Sequence, residues 1–108
     1  MSRSSSWRKL ILEEMLLHGD SFDHLVHSVS SPQYRDWWSS EDIEEAKSRA
    51  GDAWLDAKFD SGYGIQEGCF FTLWTKTRVY FPVCYDGSES VGSAPRDPCS
   101  EACKHVGG

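Results

Sequence analysis

The stretch that decides the fold is residues 70–93, which read FFTLWTKTRVYFPVCYDGSESVGS. Apolar side chains recur at every second position through its middle, at Val79, Phe81, Val83 and Tyr85. This period of two is typical of one face of a β-strand. We therefore predict strands over 70–75 and 78–85, and the connection through Lys76-Thr77 is short enough for a hairpin.

A third strand is predicted beyond a tight turn. Asp86-Gly87 is a strong signal for a two-residue hairpin loop, so residues 89–93 return beside the second strand. Pro82 has no backbone N–H to donate, which predicts a bulge or an edge position there. The three strands form an antiparallel meander.

The residues before this stretch have helical character. Ser6 is a suitable N-cap for a first helix that ends at Gly19, and its apolar stripe includes Trp7, Leu10, Ile11 and Met15. Asp20 is predicted to start a second short helix, whose inward residues are Phe22, Leu25, Val26 and Val29. A third helix follows near residue 41.

The order of elements predicts an α+β fold, with N-terminal helices packed on a small antiparallel β-meander of about three strands. The 108 residues are expected to form a single domain, with a helical half at about 6–60, a β half at about 69–97 and a short C-terminal tail. No stretch approaches the roughly 20 apolar residues needed to span a bilayer. We expect a cytoplasmic protein.

The charge is negative and unevenly placed. The net charge is −6, and residues 36–60 alone carry −5. Because phosphate contacts need a basic protein face, direct binding to nucleic acid is disfavoured. A basic protein surface is the better electrostatic match, so we expect a protein partner of that kind. The sequence leaves the oligomeric state open.

The acidic segment coincides with the third predicted helix, over roughly residues 41–59 with Ser39 or Ser40 as its cap. On a helical wheel at about 100° per residue, the buried stripe consists of Ile43, Ala46, Ala50, Ala53, Trp54 and Ala57. The opposite face carries Glu41, Glu45, Asp52 and Asp56. A solvated helix face explains this pattern, because charged outer faces are ordinary. A docking surface for a basic partner also explains it, because two like-charge pairs at i, i+4 spacing are tolerated at a small cost.

Aromatic residues supply the second candidate binding feature. Five tryptophans in 108 residues is a high content, and Trp37 and Trp38 are adjacent. Adjacent residues cannot both face the core from regular structure, so we expect at least one to be exposed as an anchor for a partner. Tyr34 and Tyr63 are further candidates. A loop that folds over the core is the alternative.

The residues nearest to a metal-binding motif are Cys99, Cys103 and His105. Structural zinc sites usually bring two tight ligand pairs together, and here the second pair is missing or distant. We expect free thiols and no cofactor, with a small zinc-binding regulatory module as an alternative. No Cys/His pair lies in a recognisable activating motif, so we expect no catalytic function, with a small hydrolase as the other alternative.

Several short motifs are shared with one group of proteins. They are FTLWT (71–75), VYFPV (79–83), YDG (85–87) with Glu89, PRDP (95–98), HVGG (105–108) and, near the start, LEEM (12–15) with HG (18–19). In these motifs, which cover about half the chain, the protein resembles short uncharacterised proteins encoded by tailed bacteriophages and prophages. Residues 31–58 have no counterpart in the resemblance.

The resemblance implies an accessory factor, and anti-defence inhibitors such as anti-CRISPR proteins are one prominent class of these. Such a protein would bind a host protein complex stoichiometrically in the host bacterial cytoplasm and compete with nucleic acid. Glu41, Glu45, Asp52 and Asp56 would then meet basic residues of that complex. Trp37 and Trp38 would be the anchors.

Overall fold

The structure is a computed structural model that describes residues 4–62 and 66–107. Two α-helices and six β-strands are present in these residues. They are β1 (Ser4–Ser5), α1 (Trp7–Leu17), β2 (Leu25–Ser31), α2 (Ser40–Ala50), β3 (Phe59–Asp60), β4 (Phe70–Thr75), β5 (Arg78–Tyr85) and β6 (Ser88–Pro95). The predicted α+β class is confirmed.

The main sheet has four antiparallel strands in the order β2-β4-β5-β6, and β1 pairs separately with β3. The predicted meander is its β4-β5-β6 part. The β5–β6 hairpin turns through Asp86 and Gly87, whose φ angles of 50° and 82° are both positive, as a two-residue turn of this kind requires. The expected count of about three strands was wrong, because β2 adds a fourth strand beside β4.

Pro82 lies in a part of β5 that only one neighbour pairs with. The β4–β5 ladder comprises Leu73 opposite Tyr80 and Trp74 opposite Val79, whereas β5 pairs with β6 along its whole length. Pro82 is therefore beyond the end of the β4 ladder. This placement fits the expected edge position.

The predicted first helix is confirmed as α1. The Ser6 hydroxyl accepts a hydrogen bond from the Lys9 backbone N–H at 3.3 Å, and Gly19 follows the helix with a φ of 66°. Ile11 and Met15 are fully buried. The helix thus turns the predicted apolar stripe toward the sheet.

The predicted second helix is wrong, because residues 25–31 form strand β2. Only Phe22–His24 are helical, as a short 3-10 turn whose N-cap is Ser21 and not Asp20. The spacing of the apolar residues imitates a helix, but the LVHSVSS segment is built from valines and serines, which are poor helix formers. Pairing with β4 satisfies its backbone instead.

The predicted third helix ends at Ala50, well short of residue 59. Gly51 terminates it with extended backbone, at φ −75° and ψ −159°, and turns occupy residues 52–56. Glycine in a helix interior costs about 1 kcal/mol relative to alanine, which makes this a natural stopping point. The change of direction lets Trp54 reach the core, where its ring stacks on Phe71 with 5.2 Å between centroids.

The core lies between the sheet and α1. Phe71, Leu73 and Tyr80 are buried on the sheet face that α1 covers. The Trp7 ring joins the layers, with its centroid 4.7 Å from that of Phe71 and 4.9 Å from that of Phe59. Each such large side chain stabilises the fold by about 1.5–3 kcal/mol when fully buried.

The C-terminal tail, residues 96–107, is exposed and irregular. No helical turn forms at Asp97 and Pro98, although an Asp-Pro pair is a common helix start. Two arginines instead tie the chain on either side of that point: Arg96 donates to the Thr75 carbonyl at 2.8 Å, and Arg78 binds the Glu101 carboxylate.

Candidate functional site

Four of the predicted binding residues lie together at the start of α2. A groove of about 280 Å³ is lined by Trp38, Asp42, Glu45, Arg49 and Glu67. Trp37 precedes the groove and is 71% exposed, whereas Trp38 is half-buried. We call this region the acidic–aromatic patch, and it consists of Trp37, Trp38, Glu41, Asp42, Glu45 and Glu67.

Hydrogen bonds at the start of α2 hold the backbone that carries the two tryptophans. The Ser39 hydroxyl accepts from the Asp42 N–H at 3.2 Å, and the Asp42 carboxylate accepts from the Ser39 N–H at 2.9 Å. These reciprocal bonds form a capping box. The Trp38 N–H donates to the Arg35 carbonyl at 3.0 Å, which closes a turn just before the cap. The backbone of Trp37 and Trp38 is thus held by a turn on one side and by the cap of α2 on the other.

One arginine neutralises part of the patch. The Arg49 guanidinium lies 2.8 Å from a Glu45 oxygen and 3.5 Å from a Glu67 oxygen, and its side chain is only 14% exposed. Glu41 is exposed and forms no ion pair within residues 4–62 and 66–107. Of the α2 carboxylates, Glu41 and Asp42 form no ion pair with the described residues, and Asp42 already accepts a hydrogen bond in the cap of the helix.

Asp52 and Asp56 lie beyond the end of α2, so the expected continuous helical face of four carboxylates was wrong. Both residues follow Gly51, where the helix has ended. Asp56 binds Arg8 of α1, with 2.6 Å and 3.1 Å between the bonded atoms. The helical wheel grouped them with Glu41 and Glu45 only because it assumed that α2 continues.

The other aromatic candidates have separate outcomes. Tyr34 is 49% exposed in the loop before α2. Tyr63 lies outside the described residues. The expectation that at least one of Trp37 and Trp38 is exposed is met by Trp37.

The cysteine and histidine candidates do not assemble into a ligand set in the part of the chain that the structure describes. There, no group of three or more His, Cys, Asp or Glu side chains could hold a metal ion. Cys99 and Cys103 are exposed, and all four cysteines are free thiols. Cys99, Cys103 and His105 lie in the irregular tail, where no secondary structure brings a second ligand pair to them.

Asp20, for which the sequence predicted only a place at the start of a helix, is a buried carboxylate. One oxygen accepts hydrogen bonds from the Thr75 hydroxyl at 2.6 Å and the Tyr80 hydroxyl at 2.7 Å. The other accepts from the Ser21 N–H at 2.9 Å and lies 3.0 Å from His24 Nδ1. Asp20 orients His24 as in a catalytic pair, but the hydroxyls beside it are buried, so the cluster joins β4 and β5 to the end of α1 and offers no accessible nucleophile.

A second buried carboxylate, Glu89, holds the loop before β4. It accepts from the Gly68 N–H at 3.0 Å and the Glu67 N–H at 3.1 Å, and burial raises its pKa. Gln33 donates to the Gly68 carbonyl from the other side. A Cβ at Gly68 would lie 2.6 Å from the Trp7 ring, so only glycine fits. This loop positions Glu67 at the acidic–aromatic patch.

No helix within residues 4–62 and 66–107 is long and apolar enough to cross a membrane. No protein-family model, curated protein or solved structure matches the chain.

Proposed function

We propose that this chain is a phage-encoded inhibitor of a host defence system, of the anti-CRISPR kind, and that it acts by stoichiometric binding to a host protein complex in the bacterial cytoplasm. The acidic–aromatic patch covers a basic surface that the complex otherwise uses for nucleic acid. The supporting observation is an exposed tryptophan, Trp37, next in the chain to Trp38, which lines a groove bordered by carboxylates.

The physical chemistry of the patch suits protein recognition. A tryptophan side chain buries a large area on binding at a low cost in conformational entropy, which is why tryptophans are enriched among residues that dominate binding energy. Trp37 is 71% exposed and therefore has most of its surface still to bury. Neighbouring carboxylates attract cationic side chains during approach and fix their position afterwards.

The acidic–aromatic patch is shorter than the acidic helix face that the sequence predicts. Of the six residues predicted to bind the partner, Trp37, Trp38, Glu41 and Glu45 remain in it. Asp52 and Asp56 leave it, since one lies in the turn after α2 and the other is paired with Arg8. This difference makes the proposal testable with single substitutions.

The test compares two charge reversals of equal size, Glu41→Lys and Asp52→Lys. Both residues are exposed, and both lay on the predicted acidic face. Immobilised wild-type protein is expected to retain a host complex from bacterial lysate at one-to-one stoichiometry, and an added nucleic-acid duplex should compete. Glu41→Lys and Trp37→Ser should each weaken retention by about tenfold or more, which corresponds to about 1.4 kcal/mol, and Asp52→Lys should leave it nearly unchanged.

Thermal unfolding of each variant provides the folding control. The acidic–aromatic patch is the wrong surface if Asp52→Lys weakens retention as much as Glu41→Lys does. Competition with nucleic acid is wrong if the duplex and the protein are bound by the complex together.

A further inference from the structure

A second cavity lies away from the acidic–aromatic patch, between α1, the β6 edge of the sheet and the C-terminal tail. Its volume is about 540 Å³, which falls in the usual range for small-molecule sites. Its apolar wall comes from all three parts of the fold and includes Leu17, Phe81, Ala94, Ala102 and Val106. A cavity of this size and lining suits the hydrocarbon part of a small ligand.

A buried guanidinium lies in the wall of the same cavity. The Arg78 side chain is 8% exposed, and its two terminal nitrogens donate to the two oxygens of Glu101 at 2.8 Å and 2.9 Å. Its Nε donates to the Ser93 hydroxyl at 3.1 Å. This two-fold contact is the geometry with which arginine recognises a carboxylate.

The two partners of this contact come from unlike parts of the fold. Arg78 is the first residue of β5, inside the sheet, whereas Glu101 belongs to the exposed and irregular tail. A buried cation needs an anion beside it, because an unpaired charge is strongly destabilising in that position. Any carboxylate that can reach the Arg78 guanidinium would meet this need, and in this chain Glu101 of the tail does so.

Another cation borders the cavity. Lys104 lines it and forms no ion pair with the residues that the structure describes. Glu14 also lines the cavity, where it accepts from the Ser93 hydroxyl at 2.8 Å and lies 3.0 Å from His18 Nε2, so two cations face two carboxylates. A ligand carboxylate that takes the place of Glu101 at Arg78 keeps this balance of charge.

We propose that this cavity binds an amphipathic carboxylate, an alkyl or aryl body with a single carboxylate head, and that Glu101 holds the head-group position while the cavity is empty. On binding, the ligand carboxylate replaces Glu101 at Arg78, and the apolar body lies between Leu17 of α1 and the tail residues Ala102 and Val106. The site shares no residue with the acidic–aromatic patch. A test of this site is therefore independent of a test of the proposed function.

The direct test is a calorimetric titration of the full chain with octanoate. The Glu101→Gln variant should bind octanoate about tenfold more tightly than the wild type, because no carboxylate of the chain itself then competes for Arg78. The matched control is Glu44→Gln, which removes an exposed carboxylate of α2 and should bind octanoate as the wild type does. Octanol, which has the same chain length and no charge, should bind more weakly than octanoate to every variant.

A second pair of variants keeps the test informative if Glu101→Gln weakens the fold. Leu17 lines the cavity and is 78% exposed, so substitutions there should leave folding intact. Leu17→Glu should repel octanoate and Leu17→Lys should attract it. The proposal is overturned if the two Leu17 variants bind octanoate equally, or if octanol binds as tightly as octanoate.

Discussion

Asp20 is a carboxylate that stays charged although its side chain is almost completely buried. Burial by itself raises the pKa of such a group, because the charged form loses its hydration. The hydrogen bonds from Thr75, Tyr80, His24 and the Ser21 N–H outweigh this effect and lower the pKa of Asp20 to about 2. Burial, together with the hydrogen bond to Asp20, raises the pKa of Tyr80. The charge is thus part of what holds β4 and β5 to the segment that follows α1.

This arrangement predicts a specific dependence of stability on pH. The pKa of Asp20 is lower in the folded protein than its ordinary value of 3.8, so its stabilisation is present above that value and disappears as the pH falls through about 2. The shift corresponds to about 2 kcal/mol of unfolding free energy. Urea denaturation at several pH values from about 5 to about 2 should show this component in the wild type and not in Asp20→Asn.

Asp23→Asn is the control, because Asp23 is exposed and lies in the same short segment. It should retain the pH dependence of the wild type. If Asp20→Asn loses as much stability on acidification as the wild type does, another group is responsible.

Asp20 also shows why such residues escape sequence reasoning. Its hydroxyl donors lie 55 and 60 residues further along the chain. No local motif marks it, and its position before an apolar segment made it look like a helix cap. The Arg78–Glu101 pair, 23 residues apart, was missed for the same reason.

At the level of elements, the segments that were predicted correctly are those with strong local signals. α1 has a cap at Ser6 and a stop at Gly19, and the β5–β6 hairpin has Asp86-Gly87 at its turn. The failures are segments whose structure depends on distant partners. β2 is a strand because β4 offers it an edge, and α2 ends at Gly51, after which Trp54 packs on Phe71.

The contributions of Ser39 and Ser40 to capping α2 can be measured separately. Ser39 forms the capping box with Asp42, whereas Ser40 is the first exposed residue of the helix. Ser39→Ala should therefore lower the free energy of unfolding by about 1 kcal/mol, and Ser40→Ala should change it little. Chemical denaturation followed by tryptophan fluorescence measures both. Equal losses in the two variants would show that the capping box does not stabilise α2.

Viewed as a whole, the molecule has no charged strand residue on one face of its main sheet. The sheet face turned away from α1 carries no Asp, Glu, Lys or Arg, as the strand registers show. Its residues are His27, Val29, Ser31, Phe70, Thr72, Trp74, Val79, Phe81, Val83, Tyr85, Ser88, Ser90, Gly92 and Ala94. Apart from Asp60, Arg78 and Glu89, the charged residues that the structure describes lie in the helices, the loops and the tail. The field that would steer a basic partner comes mainly from those parts of the surface.

Among the ion pairs of the described residues, Arg8 and Asp56 are the furthest apart in sequence, at 48 residues, and they join α1 to the turns after α2. The Arg8 guanidinium lowers the pKa of the Asp56 carboxyl. Asp56→Lys would place a cation beside Arg8 and near Lys58, whereas Asp52→Lys makes the same charge change in the turn where Asp52 has no ion pair with the described residues. Asp56→Lys should therefore lower the melting temperature more than Asp52→Lys does. Since both carboxylates are exposed, the difference should shrink in about 1 M NaCl, where charges are screened within about 3 Å. A difference that persists unchanged at high salt would mean that Asp56 acts through packing and not through its charge.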